Sequence, residues 1–321
     1  MNYSNKTVLV TGGTGSFGSA FVAHLQKNDP PKKLIVFSRD ELKQMDMAEK
    51  FGEKNMRYFI GDVRDRNRLF RACQDVDLVI HAAALKQVPS SEYNPFEAVK
   101  TNIIGAQNVI DAAIDQGVPK VIALSTDKAV NPTNLYGATK LCSDKIFIAG
   151  NAYASNRTKF SVVRYGNVLG SRGSVIPLYM KKRKEGVLPI TDMRMTRFWV
   201  TVEQGVDFVI KCEKVMQGGE IFVSRIPSMR ITDLAEAIAP GCRLQTIGIR
   251  GGEKLYETLI SEDDSRDTVD MGDYFIIKPH TNWWPEGLPK GGKPLPEGFV
   301  YRSDVNVEMV SVEELRRVLG L

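Results

Sequence analysis

The sequence predicts a doubly wound, parallel α/β sheet followed by a smaller C-terminal α/β unit. Three observations carry this expectation. Apolar, β-branched runs alternate with helical patterns through the first 125 residues, as strands joined by helical crossovers do. A glycine turn with the spacing Gly12-x-x-Gly15-x-x-Gly18 separates the first run from the first helix. Beyond residue 166 the regular alternation gives way to Ser, Gly, Pro and isolated basic residues.

The first strand is Thr7–Thr11 and the helix after the turn covers Phe17–Gln26. In this strand–turn–helix context the glycine triad reads as a dinucleotide fingerprint, which makes the sheet Rossmann-like. Gly12 permits the tight turn, Gly15 lets backbone amides approach a pyrophosphate, and Gly18 lets the helix pack closely. Thr14, Ser16 and Phe17 complete the loop and the helix start, where free N–H groups and the dipole favour an anion.

The second strand, Lys33–Phe37, ends in Ser38-Arg39-Asp40, with Lys43 one helical turn beyond Arg39. A carboxylate here suits a ribose 2′-hydroxyl and an arginine suits a 2′-phosphate, so Ser38, Arg39 and Lys43 favour NADP over NAD. The alternative is that Asp40 only caps the helix beginning at Glu41 and leaves Arg39 solvated.

The third strand, Met56–Ile60, runs into Asp62 and Val63, expected at the adenine edge, and Asp65 caps the helix Arg66–Cys73. The fourth, Asp77–His81, leads to Ala82, Ala83 and Ala84, whose small side chains leave room for the cofactor. His81 lies within an apolar run and reads as structural. Lys86 follows in a loop, within reach of cofactor or substrate. Asn94-Pro95 then opens a long helix, Phe96–Gln116, and Lys120–Leu124 is the fifth strand.

The stretch Leu124–Lys140 gathers ionisable groups of different kinds. Asp127 and Lys128 stand at the carboxyl end of the fifth strand, where open α/β sheets hold their ligands. Tyr136 and Lys140 are four apart, on one face of a helix. Beside a nicotinamide, such a pair makes an oxidation device. Lys140 favours the phenolate, Tyr136 removes a hydroxyl proton as hydride leaves the adjacent carbon, and Ser125 or Thr126 hydrogen-bonds the reacting oxygen.

The helix Asn134–Tyr153, the strand Lys159–Tyr165, the helix Val202–Met216 and the strand Glu220–Val223 follow, with a further helix at Ile231–Ala239. The expected division is residues 1–166 plus about 201–225 for the cofactor, and 167–200 plus 226–321 for the substrate. The turn-rich stretch 282–298 carries a Trp283–Trp284 pair that must pack somewhere.

Composition excludes several classes. The chain of 321 residues is 43% hydrophobic and 25% charged, has no membrane-spanning run, and starts without an export signal. Its four cysteines are widely spaced, which argues against a disulfide framework or metal site and for a reducing cytoplasm. The net charge of +5 is spread out, and the basic run at Lys181–Lys184 reads as a solvated helix face. No nucleic-acid-binding motif accompanies it.

With Tyr136-x-x-x-Lys140 lying 124 residues after Gly12, the chain resembles the extended short-chain dehydrogenase/reductase superfamily. Asp127–Lys128 narrows the likeness. A dehydrogenase or 4-epimerase needs no acid and base beside the tyrosine. A dehydratase does, because a C4 ketone makes the sugar C5 proton acidic and allows the C6 hydroxyl to leave. Retaining 4,6-dehydratases have Asp-Glu at this point. The Asp-Lys here resembles the inverting UDP-N-acetylglucosamine 4,6-dehydratases, most closely the branch that opens pseudaminic acid synthesis. TGGTGSFG, FSRDE, HAAALK, STDKA, NPTNLYGATK, RYGNVLGSRGSVIP, ITDMRMTRFW and IRGGEK carry the likeness nearly end to end, although Gln87 stands where the family more often has His.

The resemblance implies C4 oxidation by Tyr136, protonation of the departing C6 hydroxyl by Asp127, and removal of the C5 proton by Lys128. Reprotonation from the opposite face inverts C5. The NADP is tightly bound and regenerated each turnover. Lys128 then needs a lowered pKa, which Lys140 and Lys86 could supply; its alternative role is a salt bridge to Asp127. Arg197, Arg250 and Glu253 are implied for the nucleotide of the UDP-sugar, and Asn167 and Lys86 for the sugar and first phosphate. A homo-oligomer, hexameric or smaller, is implied too. A UDP-sugar 4-epimerase or reductase using only Tyr136 and Lys140 is the competing reading, and a non-catalytic NADP-binding scaffold a third.

Overall fold

The computed structural model describes residues 2–155, 157–170, 174–281, 284 and 289–321. Six strands and their crossovers build its first half: β1 (Thr7–Thr11), α1 (Ser16–Asn28), β2 (Lys33–Ser38), α2 (Glu41–Phe51), β3 (Met56–Ile60), α3 (Arg66–Ala72) and β4 (Leu78–His81), then α4 (Val88–Tyr93), α5 (Pro95–Val99), α6 (Gly105–Asp115), β5 (Lys120–Thr126), α7 (Leu135–Tyr153) and β6 (Lys159–Tyr165). The strands pair in parallel in the order β3-β2-β1-β4-β5-β6, and Ile221–Ser224 continues the sheet in parallel beside β6. Every residue of β1 and of β4 is buried, as expected of parallel strands covered by helices on both faces. The strand order reverses between β1 and β4, and a crevice opens there, above Thr11 and its neighbour His81.

Three departures from the sequence reading have local causes. Residues 88–93, read as loop, close into α4 with a proline in its first turn, where no N–H is needed. The long helix over 96–116 is broken by a π-helical turn at Lys100–Ile104. In that turn the buried Asn102 accepts from the Leu85 N–H at 2.8 Å and donates to the Leu85 carbonyl at 2.9 Å and the Thr139 hydroxyl at 3.0 Å. The π turn thus ties the loop after β4 to α7.

The third departure concerns 226–321, expected to lie wholly in the second unit. Tyr274–Ile277 pairs antiparallel with Ile221–Ser224, and Thr268–Asp270 and Lys293–Pro294 follow, so the main sheet has ten strands among the described residues. Antiparallel neighbours need only a short connection, so a hairpin can extend an exposed edge without a crossover helix. A separate apolar cluster, including Tyr179, Leu188, Trp199, Leu234 and Leu315, forms the core of the smaller C-terminal unit. Its strand Thr196–Val200 pairs with Ser228–Arg230 and with Asn167–Val168. Trp283, and with it the expected tryptophan pair, lies outside the described residues. No helix among the described residues is long and apolar enough to cross a membrane.

Residues Asp127–Ala129 form a 3-10 turn after β5 that packs closely on α7. A Cβ at Gly137 would overlap the Lys128 carbonyl. Alanine normally gains about 0.5–1 kcal/mol over glycine inside a helix. At Gly137 the sign should reverse. Gly137→Ala is expected to lose about 1–3 kcal/mol through overpacking, measured as a lower urea midpoint. An unchanged or raised midpoint would contradict the packing.

Candidate active site

The glycine turn makes the floor of the crevice. A Cβ at Gly12, whose φ is +65°, would lie 2.8 Å from the Ala83 nitrogen, and one at Gly18 only 2.5 Å from the Gly12 carbonyl. The turn can therefore sit tightly under β4 and under α1 only with glycine at both positions. α1 follows Gly15, which has no side chain with which to cap it, and its amino end faces the crevice. That fits a diphosphate.

Two adjoining clefts lie over this turn, sharing Gly12, Gly15, Ala82 and Ala84. The outer one, about 560 Å³, is lined by Thr14, Ser38, Arg39, Lys43, Asp62, Val63 and Ala83 among others. The inner one, about 440 Å³, is lined by Ser16, Phe17, Gly18, Lys86, Thr126, Lys128, Tyr136, Lys140 and Asn167 among others. Together they make a groove shaped for a dinucleotide, with the ionisable cluster at the inner end.

At the outer end Asp40 caps α2, accepting from the Lys43 N–H at 3.1 Å, and its carboxylate also pairs with the Lys43 ammonium. Arg39 stands 3.4 Å from Asp62 and is half exposed. Burial works against the Asp62 charge, but hydrogen bonds from Arg64 and the nearby Arg39 hold its carboxyl below the usual range.

The inner end departs from expectation. Adjacent residues at a strand end generally point apart, yet Lys128 Nζ lies 3.0 Å from Asp127 Oδ1. The 3-10 turn is responsible: Thr126, still extended as the last residue of β5, caps it, and its side chain accepts from the Lys128 N–H at 3.3 Å. Thr126 also donates to Asp127 Oδ1 at 2.9 Å and lies in hydrogen-bonding reach of the Tyr136 phenol. Lys128 donates as well to Asn167 Oδ1 at 3.1 Å and pairs at 3.2 Å with Glu257, a buried carboxylate from the C-terminal part. Sequence reasoning missed Glu257; its only local signal is an acid just before the apolar run Thr258–Ile260.

The shift of Lys128 is accordingly the reverse of the one expected. Burial opposes the ammonium, but Asp127 and Glu257 outweigh it and hold Lys128 above the ordinary lysine range, not below it. Burial, helped by the Lys128 charge, pulls Lys86 down. Burial pushes the Tyr136 phenol up to about 12, opposed first by the Lys128 charge and next by the Thr126 hydrogen bond. The cation that most favours the phenolate is thus Lys128, whereas Lys140 was expected to fill that role. Lys140 is buried and lowered by that burial, with Asp144, one helical turn on, as its compensating charge. Ser125 donates to Asp144 Oδ2 at 2.6 Å, which leaves Thr126 as the hydroxyl facing Tyr136.

Of the residues expected at the nucleotide, Arg197 turns inward. Its guanidinium donates to the carbonyls of Thr196, Lys254 and Leu255 at 2.7–3.1 Å and lies 3.8 Å from Glu257. Three backbone carbonyls fix it as a brace for the 254–257 segment, so it offers no free fork to a phosphate. Arg250 is exposed and Glu253 half-buried, in a turn docked on the start of α7. Thr133 and Asn134 donate to the Gly252 carbonyl at 3.1 and 2.8 Å, and Lys254 donates to the Val130 carbonyl at 2.7 Å.

Fold and site together define the class: a dinucleotide-binding α/β enzyme with the Tyr–Lys pair of the short-chain dehydrogenases/reductases. The chain belongs to the polysaccharide biosynthesis protein family, whose model matches residues 8–279. It is 54% identical, over 99% of its length and 98% of the relative's, to UDP-N-acetylglucosamine 4,6-dehydratase (inverting) of Campylobacter jejuni. It is 44% identical, over 86% of its length and 83% of the relative's, to UDP-glucose 4-epimerase of Rickettsia bellii. Among solved structures, Pen from Bacillus thuringiensis superposes with a TM-score of 0.91 at 39% identity, covering 100% of this chain and 98% of that one.

His81 provides a test of the charge arrangement. It is buried, shares a 2.8 Å hydrogen bond with Thr11, and is pushed down to about 3 by burial and by the Lys140 charge. In isotope-labelled protein one of the three histidines should stay neutral through pH 6.5 and protonate only near about 3. Lys140→Met removes a depressing charge and should move that midpoint upward. An unmoved midpoint would place Lys140 elsewhere.

Proposed function

We propose that the protein catalyses the configuration-inverting 4,6-dehydration of UDP-N-acetylglucosamine, giving a UDP-2-acetamido-2,6-dideoxy-L-hexos-4-ulose. The observation that carries this reading is the Asp127–Lys128 pair, 3.0 Å apart at the end of β5 and beside Tyr136. A 4-epimerase or reductase uses the tyrosine and its lysine and has no task for a second acid and base. A non-catalytic scaffold has no task for any of them.

The groove binds a nicotinamide cofactor, which when bound supplies hydride acceptance from C4 and hydride return to C6, with no net oxidation. NADP is our reading over NAD. Asp40 is engaged by its own helix and by Lys43, so it offers no free carboxylate to a ribose 2′-hydroxyl, while the half-exposed Arg39 borders the outer cleft and suits a 2′-phosphate. Thr14 and Ser38, whose hydroxyls share a 2.6 Å bond, border the same place.

The residues then divide the chemistry. Tyr136, with Thr126 beside it, takes the C4 hydroxyl proton. Lys128 takes the C5 proton, acidified by the C4 ketone. Asp127, fully buried against the turn, gives a proton to the departing C6 hydroxyl. Reprotonation of C5 from the opposite face inverts it. Lys86 and Asn167 orient the sugar and first phosphate, and Arg250 and Glu253 meet the nucleotide at the groove mouth. The second unit thus adds Asn167, Arg250 and Glu253 on the UDP-sugar side, and the first unit holds the cofactor. The protein acts in the cytoplasm as a homo-oligomer, for which Tyr93, Phe96 and Ile104 are exposed apolar side chains.

Incubation with UDP-N-acetylglucosamine in deuterium oxide should yield a C6 methyl, a C4 ketone and deuterium at C5. Formation of UDP-N-acetylgalactosamine instead would sink the reading. Lys128→Met should abolish C5 labelling. It should also move the pH dependence of C4 oxidation upward, because the cation that most lowers Tyr136 is gone. For the cofactor, Arg39→Ala is expected to weaken NADP binding about tenfold or more while sparing NAD. Equal losses for both would favour NAD.

A further inference from the structure

Among the described residues Lys128 Nζ makes two hydrogen bonds. It donates to Asp127 Oδ1 at 3.0 Å and to Asn167 Oδ1 at 3.1 Å. Glu257 adds its charge as an ion pair at 3.2 Å. The two carboxylates offset the ammonium. Asn167 is neutral, so its contact has another purpose.

The backbone brings Asn167 there from the smaller unit. After β6 the chain leaves the main sheet through Gly166, which is pressed against Thr196–Val200: a Cβ at Gly166 would lie 2.5 Å from the Phe198 Cβ. Asn167–Val168 then pairs in parallel with Trp199–Val200. The main chain of Asn167 is thus fixed in one unit while its side chain reaches the turn after β5 in the other. An ammonium needs an acceptor, so the amide oxygen faces Nζ and the amide nitrogen points away from it. That nitrogen has no hydrogen-bond partner among the described residues, and Asn167 lines the inner cleft.

The elimination needs a restraint of this kind. One proton passing along the 3.0 Å contact from Lys128 to Asp127 turns the ion pair into an amine and a carboxylic acid. The amine takes the C5 proton, the C5–H electrons form the C5–C6 double bond, and the hydroxyl leaves C6 as water with the proton from Asp127. The ion pair is then restored. While the proton is on Asp127, Lys128 no longer donates to it, and the attraction of Glu257 falls with the lysine charge. The bond to Asn167 is the one that remains. An amide oxygen is too weak a base to take the proton, and it carries no charge that opposes the proton's loss.

We propose that Asn167 is a positioning residue of the dehydration, its amide oxygen holding Lys128 Nζ in place while the proton moves. This rests on the dehydratase reading given above. The charged and titratable groups facing Lys128 are Asp127 on its own turn, Tyr136 from α7, Lys86 from the loop after β4, Arg197 from Thr196–Val200, and Glu257 and Lys254 from the C-terminal part. Removing a neutral amide leaves all of these charges where they are.

The test follows two steps in the cofactor-loaded protein at saturating UDP-N-acetylglucosamine. C4 oxidation is read as the near-ultraviolet absorbance of reduced nicotinamide, and C5 chemistry as deuterium entering C5 from deuterium oxide. Asn167→Leu keeps the size of the side chain and removes the acceptor. C5 labelling should fall about tenfold or more, so that reduced nicotinamide builds up during turnover. The pH dependence of C4 oxidation should stay where it is, because the Lys128 charge that Tyr136 feels is still present. The proposal is overturned if Asn167→Leu raises KM but labels C5 like the wild type at saturation, which would make Asn167 a substrate ligand alone. It is overturned equally if both steps fall by one factor at every pH, or if the pH dependence of C4 oxidation moves upward as in Lys128→Met. Should Asn167→Leu fail to fold, Asn167→Ser, whose hydroxyl falls short of Nζ, carries the test. Selective slowing of C5 labelling then supports the role, and equal slowing of both steps or none overturns it. A wild type that never labels C5 would instead refute the dehydratase reading itself.

Discussion

A lysine held between two buried carboxylates, each from a different part of the chain, is the interaction on which the site depends. Lys128 and Asp127 come from the turn after β5, and Glu257 comes from the C-terminal part. Such pairs add little net stability, because desolvation cancels most of the attraction. Removing one partner is another matter and commonly costs about 3–5 kcal/mol, since a buried charge is left behind. The pair therefore specifies position more than it stabilises. It fixes where the smaller unit meets the strand ends, and it sets the charge that Tyr136 feels.

The same cluster explains why Tyr136 and Lys140 do not act as an isolated couple. Lys140 is matched by Asp144 on its own helix, and Asp144 also takes the Ser125 hydroxyl and stands near Arg164. That inner network anchors α7 and depresses His81. The outer network of Asp127, Lys128 and Glu257 faces the sugar side of the groove. Thr126 touches both Asp127 and Tyr136 and is the point where the two networks meet.

The first half of the fold was legible because its signals are local. Gly12, Gly15 and Gly18 declare themselves by spacing, Asp40 and Asp65 by standing before helices they do cap, and β1 to β6 by composition. Tyr136 and Lys140 were legible for the same reason, a periodicity of four. What escaped was decided between distant segments. Glu257 acquires meaning only beside Lys128, and Asn102 only beside Leu85, where it bends a helix into a π turn. Arg197 was misread because an arginine in sequence shows its charge but not the three carbonyls that enclose it. The direction of the Lys128 shift was misread likewise, since the neighbours that decide it include a carboxylate remote in sequence.

The turn around Gly252 has a geometric consequence. Its carbonyl is gripped by Thr133 and Asn134, and Lys254 is tied to Val130, so one end of the 252–257 segment is clamped. The other end is clamped by the Ser303 bonds and by the pairing of Thr258–Ile260 with Tyr301–Arg302. Glu257 enters that strand, where successive side chains face opposite ways. The segment therefore works as a spacer of fixed length: one residue more or fewer would carry the carboxylate to the wrong face and leave Lys128 with half of its counter-charge.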